Sequence, residues 1–196
     1  MLVWKSLLSE AVRSVLVAVD RNHPLPFGRS FRLEAKDGVM TVMATDLTNH
    51  VVSRLDCLGE LLPTLVDAKD FTEALRGCAV RERGRYSPDK QIFMCILDGK
   101  LFMQGQDEEH TFALKRGPIR SWPKLPELDC GPDTVELLPT ELTRVYLPDG
   151  VRNDSLDALK RLTQLHRPES CPVASTSKAL RVSFPTKVHT TVTCLF

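Results

Sequence analysis

Residues 23–47, HPLPFGRSFRLEAKDGVMTVMATDL, decide how the chain is read. His23-Pro24-Leu25-Pro26 forbids helix and forces an extended turn, because each proline disfavours the α conformation in the residue before it. Ser30 to Ala35 then alternates, with Phe31, Leu33 and Ala35 on one side. Lys36-Asp37-Gly38 is a hairpin signal, since Asp-Gly tolerates the positive φ that a tight turn requires. Met40, Val42 and Ala44 continue the alternation on a return strand that stops at Thr45-Asp46-Leu47.

Working outward, Val51 to Leu55 makes a third strand, and Leu2 to Trp4 a short one before the turn. Between them Ser6 can cap a helix running to about Arg21, with Leu8, Val12, Val15, Leu16 and Val19 on one face. The order is strand, helix, three strands. It then recurs. Leu62 to Val66 reads as a strand, and Asp67 can cap a helix from about Ala68 to Arg76. In that helix Phe71, Ala74 and Leu75 point inward, and Gly77 stands where a C-cap glycine is expected. Ala79 to Arg83, Gln91 to Leu97, Leu101 to Gln104 and Thr111 to Leu114 are further strand candidates, with Asp98-Gly99 a second hairpin turn. Residues 1 to about 60 and 61 to about 116 are thus two copies of one architecture, though not of one sequence.

Residues 116–133, RGPIRSWPKLPELDCGPD, hold four prolines and two glycines and read as a linker or domain-edge loop. Beyond it, Thr134 to Leu138 reads as a strand. Asn153 to Leu165 reads as a helix with Leu156, Leu159, Leu162 and Leu165 spaced by threes. Leu180 to Phe184 and Val188 to Leu195 read as a hairpin. The tail is most of a third unit.

The whole chain has 196 residues, 42% hydrophobic and 26% charged, which is ordinary for a soluble globular protein, and the order of its strands and helices makes the class α+β. Its net charge of +1 supplies no global attraction to nucleic acid, so any DNA contact must come from a local basic patch. Six cysteines at 57, 78, 95, 130, 171 and 194 are widely spaced, without a C-x-x-C pair. They are expected to be reduced thiols, with no zinc site. Glu10 and Arg13 interrupt the apolar N-terminus, so no signal peptide or membrane span is expected and a cytoplasmic location is. The five histidines do not cluster in sequence, and Asp107-Glu108-Glu109-His110 reads as a solvated hairpin tip rather than a metal motif. Thr45 and Asp46 read as a strand-end turn closed by a side-chain bond. No glycine-rich phosphate loop is present.

The ordered set of features resembles the bacterial sliding clamp family, the β subunit of the replicative DNA polymerase III. HPLPFGRSFRLEAKDG is similar to the family's T-L-P-I turn, strand and D-G hairpin, and ATDLTNHVVSRLD to its A-T-D-L-E-I strand end. LPTLVDAKDFTEALRG resembles the V-P-A-R-K-F start of the second repeat. DGKLFMQGQDEEHTFALKRGPIRSWPKLP resembles the later D-G hairpin, the R-F-S-L strand and the closing F-P-x-L-P loop. The resemblance covers residues 1–128 as one clamp-like domain and leaves 129–196 as a partial, divergent half-domain. It implies a DNA clamp fold, with antiparallel sheets outside and helices inside. The family's chain carries three such domains, and two chains close a ring. Asp149-Gly150-Val151-Arg152 is only faintly similar to a D-x-R stretch of the family's second domain. No residue here matches the family's pocket for polymerase and loader peptides.

The resemblance implies a non-catalytic tether, without a cofactor, whose helices face duplex DNA. Contacts to phosphates must then be weak and blind to sequence. The candidates are Arg13 on the first helix, Arg21 before the Pro-Leu-Pro turn, and Lys69 and Arg76 on the second helix. The family carries a DNA-contacting basic residue one position from where Arg21 aligns. Each of these cations also fits an ordinary solvated face, with Glu10, Asp70 and Glu73 close in sequence. Phe112 and Leu114 match the two apolar positions of the family's ring-closing interface, and their alternation equally fits core packing of a half-buried strand. The implied partners are duplex DNA, further copies or a clamp, and a DNA polymerase or clamp loader. Two rival readings are a clamp-like interaction module that pairs with a full-length clamp without encircling DNA, and an unrelated enzyme on an α+β scaffold. Nothing in the sequence speaks positively for the enzyme.

Overall fold

A computed structural model of the chain describes residues 1–78, 90–106, 111–124, 135–142, 153–176 and 179–195. The expected strand at 79–83, the tip at 107–110 and the Asp149–Arg152 stretch lie outside these.

The first unit consists of β1 (Leu2–Trp4), α1 (Lys5–Val15), β2 (Ser30–Lys36), β3 (Val39–Thr45) and β4 (Asn49–Leu58). The second consists of β5 (Leu61–Asp67), α2 (Ala68–Gly77), β6 (Gln91–Leu97), β7 (Lys100–Gly105) and β8 (Thr111–Gly117). The third contains β9 (Val135–Leu137), the single turn α3 (Pro139–Leu142), α4 (Asn153–His166), β10 (Cys171–Ser175), β11 (Ala179–Phe184) and β12 (His189–Leu195). Each unit ends in an antiparallel three-strand meander.

The opening strands cross over. β1 pairs with β4 of its own unit and β6 of the second, while β5 pairs with β8 of its own unit and β2 of the first. The two units therefore close into one circuit of strands. β9 instead pairs with β10 of its own unit. It covers the edge that a partner unit's opening strand covers on β2 and β6. The third unit joins the circuit by its last strand, β12, which runs antiparallel to β4 from His189 opposite Arg54 to Cys194 opposite Asn49.

The local chemistry explains the elements. Asp37 and Gly38 both have positive φ, as do Asp98 and Gly99, so each Asp-Gly pair makes a two-residue turn that matches strand twist. Pro63 has no N–H to give the ladder, and an extra residue bulges there between Leu61 and Thr64. Arg116 fastens β8 over this bulge, donating to Thr64 Oγ1 at 2.6 Å. Asp67 caps α2 by accepting from the amides of Lys69 and Asp70. In the Thr45-Asp46 turn, Asp46 Oδ1 accepts from the amides of Thr48 and Asn49.

Four expectations change. The first helix stops at Val15 and tightens into a 3-10 turn, Leu16–Ala18, where the run Val15-Leu16-Val17 is rich in β-branched residues that favour helix weakly. Ser6 is not its N-cap, since the helix begins at Lys5 and Trp4 holds the N-cap position. Pro26–Arg29 forms a second 3-10 turn after the extended Leu25. Gly77 is not a left-handed C-cap. It is the last residue of α2, its φ is not positive, and a Cβ there would meet Phe112 Cζ at 2.3 Å. In α4 the buried face is Ser155, Ala158, Leu159 and Leu162, while Leu165 is exposed. Steps of three lag behind a 3.6-residue period, so a row spaced by threes leaves the core.

One continuous core runs through all three units, from Leu8, Phe31 and Phe71 to Leu159, Phe184 and Val192. Phe31 meets Phe71 edge-on with centroids 5.9 Å apart, which pins α2 to β2. Complete burial of each such side chain contributes roughly 1.5–3 kcal/mol. Trp122, from the proline-rich segment, packs with Phe27 and Leu65 in a satellite cluster. α1 packs on β3 and β4, α2 on β2, β5 and β8, and α4 on β11, with α1 touching α2. No helix among the described residues is long and apolar enough to cross a membrane.

Candidate nucleic-acid interface

The helices form one layer over the sheet, and each turns cations away from the core. On α1 Leu8, Ala11, Val12, Ser14 and Val15 are buried, which leaves Arg13 exposed. On α2 Ala68, Phe71, Ala74 and Leu75 are buried, which leaves Lys69 and Arg76 exposed. α4 exposes Lys160 and Arg161.

Three of the four expected DNA-contacting residues come together. Arg21, Lys69 and Arg76 line one open groove between α2 and the 19–29 segment. Arg29 is the fourth cation there, brought in by the last turn of the 3-10 segment that follows Pro26. Asp67, Thr72 and Glu73 complete its polar wall. Asp67 already serves the α2 amides, so its oxygens are partly committed. None of the four cations is ion-paired to another described residue. Four cations against two carboxylates give the groove a net positive charge in a chain that is nearly neutral overall. Arg13 does not line it. Sequence reasoning missed Arg29, Lys160 and Arg161. Arg29 could have been found from its place at the end of the same turn that Arg21 precedes.

A second cleft, between the 17–20 segment and α4, has the opposite character. It is lined by Asp20, Asp46 and Asp157, with Arg161 at its side. Among the described residues no group of His, Cys, Asp and Glu side chains could hold a metal ion.

Of the two expected interface residues, one is buried and one half-buried. Leu114 is 9% exposed and belongs to the core. Phe112 is half-buried, its ring lying over Gly77.

Ser14, His166 and Glu10 stand in the order of a nucleophile, base and acid. Ser14 Oγ lies 2.9 Å from His166 Nε2, and His166 Nδ1 lies 3.5 Å from Glu10 Oε1. Ser14 is fully buried and donates its hydroxyl proton to the Glu10 carbonyl. The group therefore works as a latch between α1 and α4. Burial pushes the His166 ring below its ordinary pKa, and Glu10 partly opposes that shift. Burial also pushes the thiols of Cys171 and Cys194 up to about 11, which keeps them protonated and unreactive. Cys57, Cys78, Cys95, Cys171 and Cys194 are not joined in disulfides among the described residues.

No family model matches the sequence, and no curated protein does. Solved structures do. The DNA polymerase III β subunit of Pseudomonas aeruginosa superposes with a TM-score of 0.78 at 14% identity, covering 100% of this chain and 64% of that one. The Caulobacter crescentus polymerase III β gives 0.79 at 14% identity, over 99% and 64%. The Thermotoga maritima β subunit gives 0.77 at 12% identity, over 99% and 63%. The chain spans a little under two thirds of the length of these clamps. At such identities the likeness establishes architecture: the chain has the α+β fold of the bacterial sliding clamps.

Proposed function

We propose that the chain is a clamp-like, non-catalytic tether of DNA replication that holds duplex DNA through its helix layer. The observation that carries this is the groove where Arg21, Arg29, Lys69 and Arg76 converge without ion-paired partners among the described residues. Flexible cations on a solvated face suit phosphates read without regard to base sequence. Residues 1–128 serve as the clamp-like domain, and 129–196 extend its helix layer by a half-domain. The reading places the chain in a reducing cytoplasm, beside a DNA polymerase or its clamp loader, and makes it work as an oligomer.

The test is fluorescence anisotropy with two labelled duplexes of unrelated sequence across a salt series. Equal affinities are expected. The slope of log K against log salt should be about −3 to −4 if four phosphates are neutralised. Combined reversal of Arg21, Lys69 and Arg76 to Glu should abolish binding. Salt-independent binding, or affinity untouched by the triple reversal, would sink the proposal.

A second reading is favoured by one observation: among the described residues, β8 pairs with β7 along 111–115 and its other edge there has no strand partner. There the chain acts as an interaction module for a full-length sliding clamp and does not grip DNA itself. A native-mass measurement on the chain mixed with a purified clamp separates the two, since only this reading expects a mixed complex without DNA.

A further inference from the structure

The first two units exchange their opening strands. β1 lies against β6 of the second unit, and β5 against β2 of the first. Each exchanged strand is buried where it crosses: Val3 of β1 is 2% exposed, and Leu65 and Val66 of β5 are each 1% exposed. β9 opens the third unit and takes the same kind of edge position, but on its own β10, with Val135 opposite Val173 and Leu137 opposite Cys171. No residue of β9 is buried, and Val135 is 61% exposed. Among the described residues, the third unit exchanges a strand with no other.

We propose that two copies of the chain exchange β9, each strand lying on β10 of the other copy, so that two third units complete one another as the first two units do. The proposal deepens the tethering reading, and only its consequence for DNA rests on that reading.

The ladder itself selects a second copy as the occupant. The strand that fits the β10 edge is β9 of this sequence, and a mate brings an identical strand in the same register. Every β9–β10 hydrogen bond is therefore kept, which is why exchange of an identical element is a low-cost route to a dimer. The connection allows it, since β9 ends at Leu137 and α4 begins only at Asn153, a length of chain that can reach a neighbouring edge.

The exchange also uses surfaces that the first unit leaves free. β12 faces the first unit through β4, and β11 and β10 follow outward, so a mate at β10 leaves the β4–β12 seam intact. On α4, Ala158 and Arg161 line the cleft shared with the 17–20 segment. The helical period puts Leu156 and Thr163 on the opposite flank, and both are half-buried. In the exchanged pair of first and second units α1 touches α2. Two α4 helices related in the same way meet along the Leu156 flank, and this contact is the gain that offsets the entropy of association. The pair is closed, because both β9 strands and both β10 edges are used. Its helix layers lie on one side, as α1 and α2 do, and it offers two basic grooves to one duplex.

The experiment is diamide oxidation of the full chain carrying Leu137→Cys, read on non-reducing gels, beside light scattering of the natural chain over a concentration series without DNA. Residue 137 stands opposite Cys171, so the introduced thiol can reach Cys171 in either arrangement. Exchange makes the link between two chains, whereas fold-back makes it within one. A reversible monomer–dimer equilibrium and a covalent dimer are expected, the covalent dimer being lost on adding reductant and in the double variant Leu137→Cys, Cys171→Ser. Leu156→Lys buries a charge between the α4 flanks and should raise the dimer dissociation constant about tenfold, with unchanged circular dichroism. A link within one chain overturns the proposal, as does a monomer at every concentration. So does a dimer indifferent to Leu156→Lys, or a natural chain that dimerises while Leu137→Cys forms no link. DNA anisotropy is read separately, so loss of dimers and loss of duplex binding are distinguishable failures.

Discussion

His166 Nε2 lies 2.9 Å from Ser14 Oγ, joining α4 to α1 across 152 residues of sequence. The serine proton goes to the Glu10 carbonyl, so the neutral imidazole donates its Nε2 proton to Ser14. The ring also stacks on Phe184 of β11 with centroids 5.5 Å apart. The third unit is thus held to the first at two places, by this latch on the helix layer and by the β4–β12 seam on the sheet.

The latch makes stability depend on pH. The folded His166 pKa lies below its ordinary value of 6.5, chiefly because the ring is buried, with Glu10 acting the other way. Above 6.5 the ring is neutral in both folded and unfolded chains, and its contribution is complete. As pH falls below 6.5 the unfolded chain takes up the proton first, so stability drops until the pH passes below the folded pKa. His50, buried near Asp46, titrates with the same sign. Denaturant titrations at about pH 7.5 and about pH 5 should therefore show lower stability in acid, and His166→Gln should shrink that difference. A pH dependence unchanged in His166→Gln would refute the assignment.

The seam makes a separate prediction. Ser53 Oγ and Thr190 Oγ1 are buried and 2.9 Å apart across β4 and β12. Thr190→Val strands the serine hydroxyl and should cost about 1–3 kcal/mol, while adding Ser53→Ala should recover much of that loss. A double mutant no more stable than the single would show that the pair is not coupled. Equilibrium unfolding in urea reads all three variants.

How much of this was legible follows the strength of each local signal. The Asp-Gly turns carry their own backbone geometry, so both hairpins were readable from two residues each. The amphipathic period of α2 placed Lys69 and Arg76 away from the core. β10 was missed because Cys171-Pro172-Val173-Ala174-Ser175 has no alternation and a proline, and it becomes a strand only between β9 and β11. Arg29 was missed because two of the three cations that share its groove, Lys69 and Arg76, come from another unit. The β4–β12 junction was invisible for the same reason. Gly77 was misread because glycine after a helix usually signals a left-handed cap, and here a remote phenylalanine requires it.

Gly77 supplies the third prediction. Replacing a helical glycine with alanine ordinarily stabilises by up to about 1 kcal/mol. Here the new Cβ would lie 2.3 Å from Phe112 Cζ, so the sign should reverse. Gly77→Ala should destabilise by about 1–3 kcal/mol through overpacking, and Phe112→Leu in the same chain should relieve part of it. Thermal melts decide the matter. A stabilised Gly77→Ala would mean that the ring does not rest on α2.

The last prediction separates a groove from scattered surface charge. Arg29 shares its groove with Arg21, Lys69 and Arg76, whereas Arg13 lies outside it. If phosphates bind where the cations converge, one reversal inside the groove removes a contact and repels the duplex from the remaining three. Arg29→Glu should then weaken duplex binding about tenfold at low salt and make the salt slope shallower by about 1. Arg13→Glu should change affinity by less than about threefold, because it alters only the long-range field. Both side chains are exposed and make no ion pair with another described residue, so the fold should tolerate either change. Equal effects of the two reversals would mean that only net charge matters, and the groove would lose its claim to be the site.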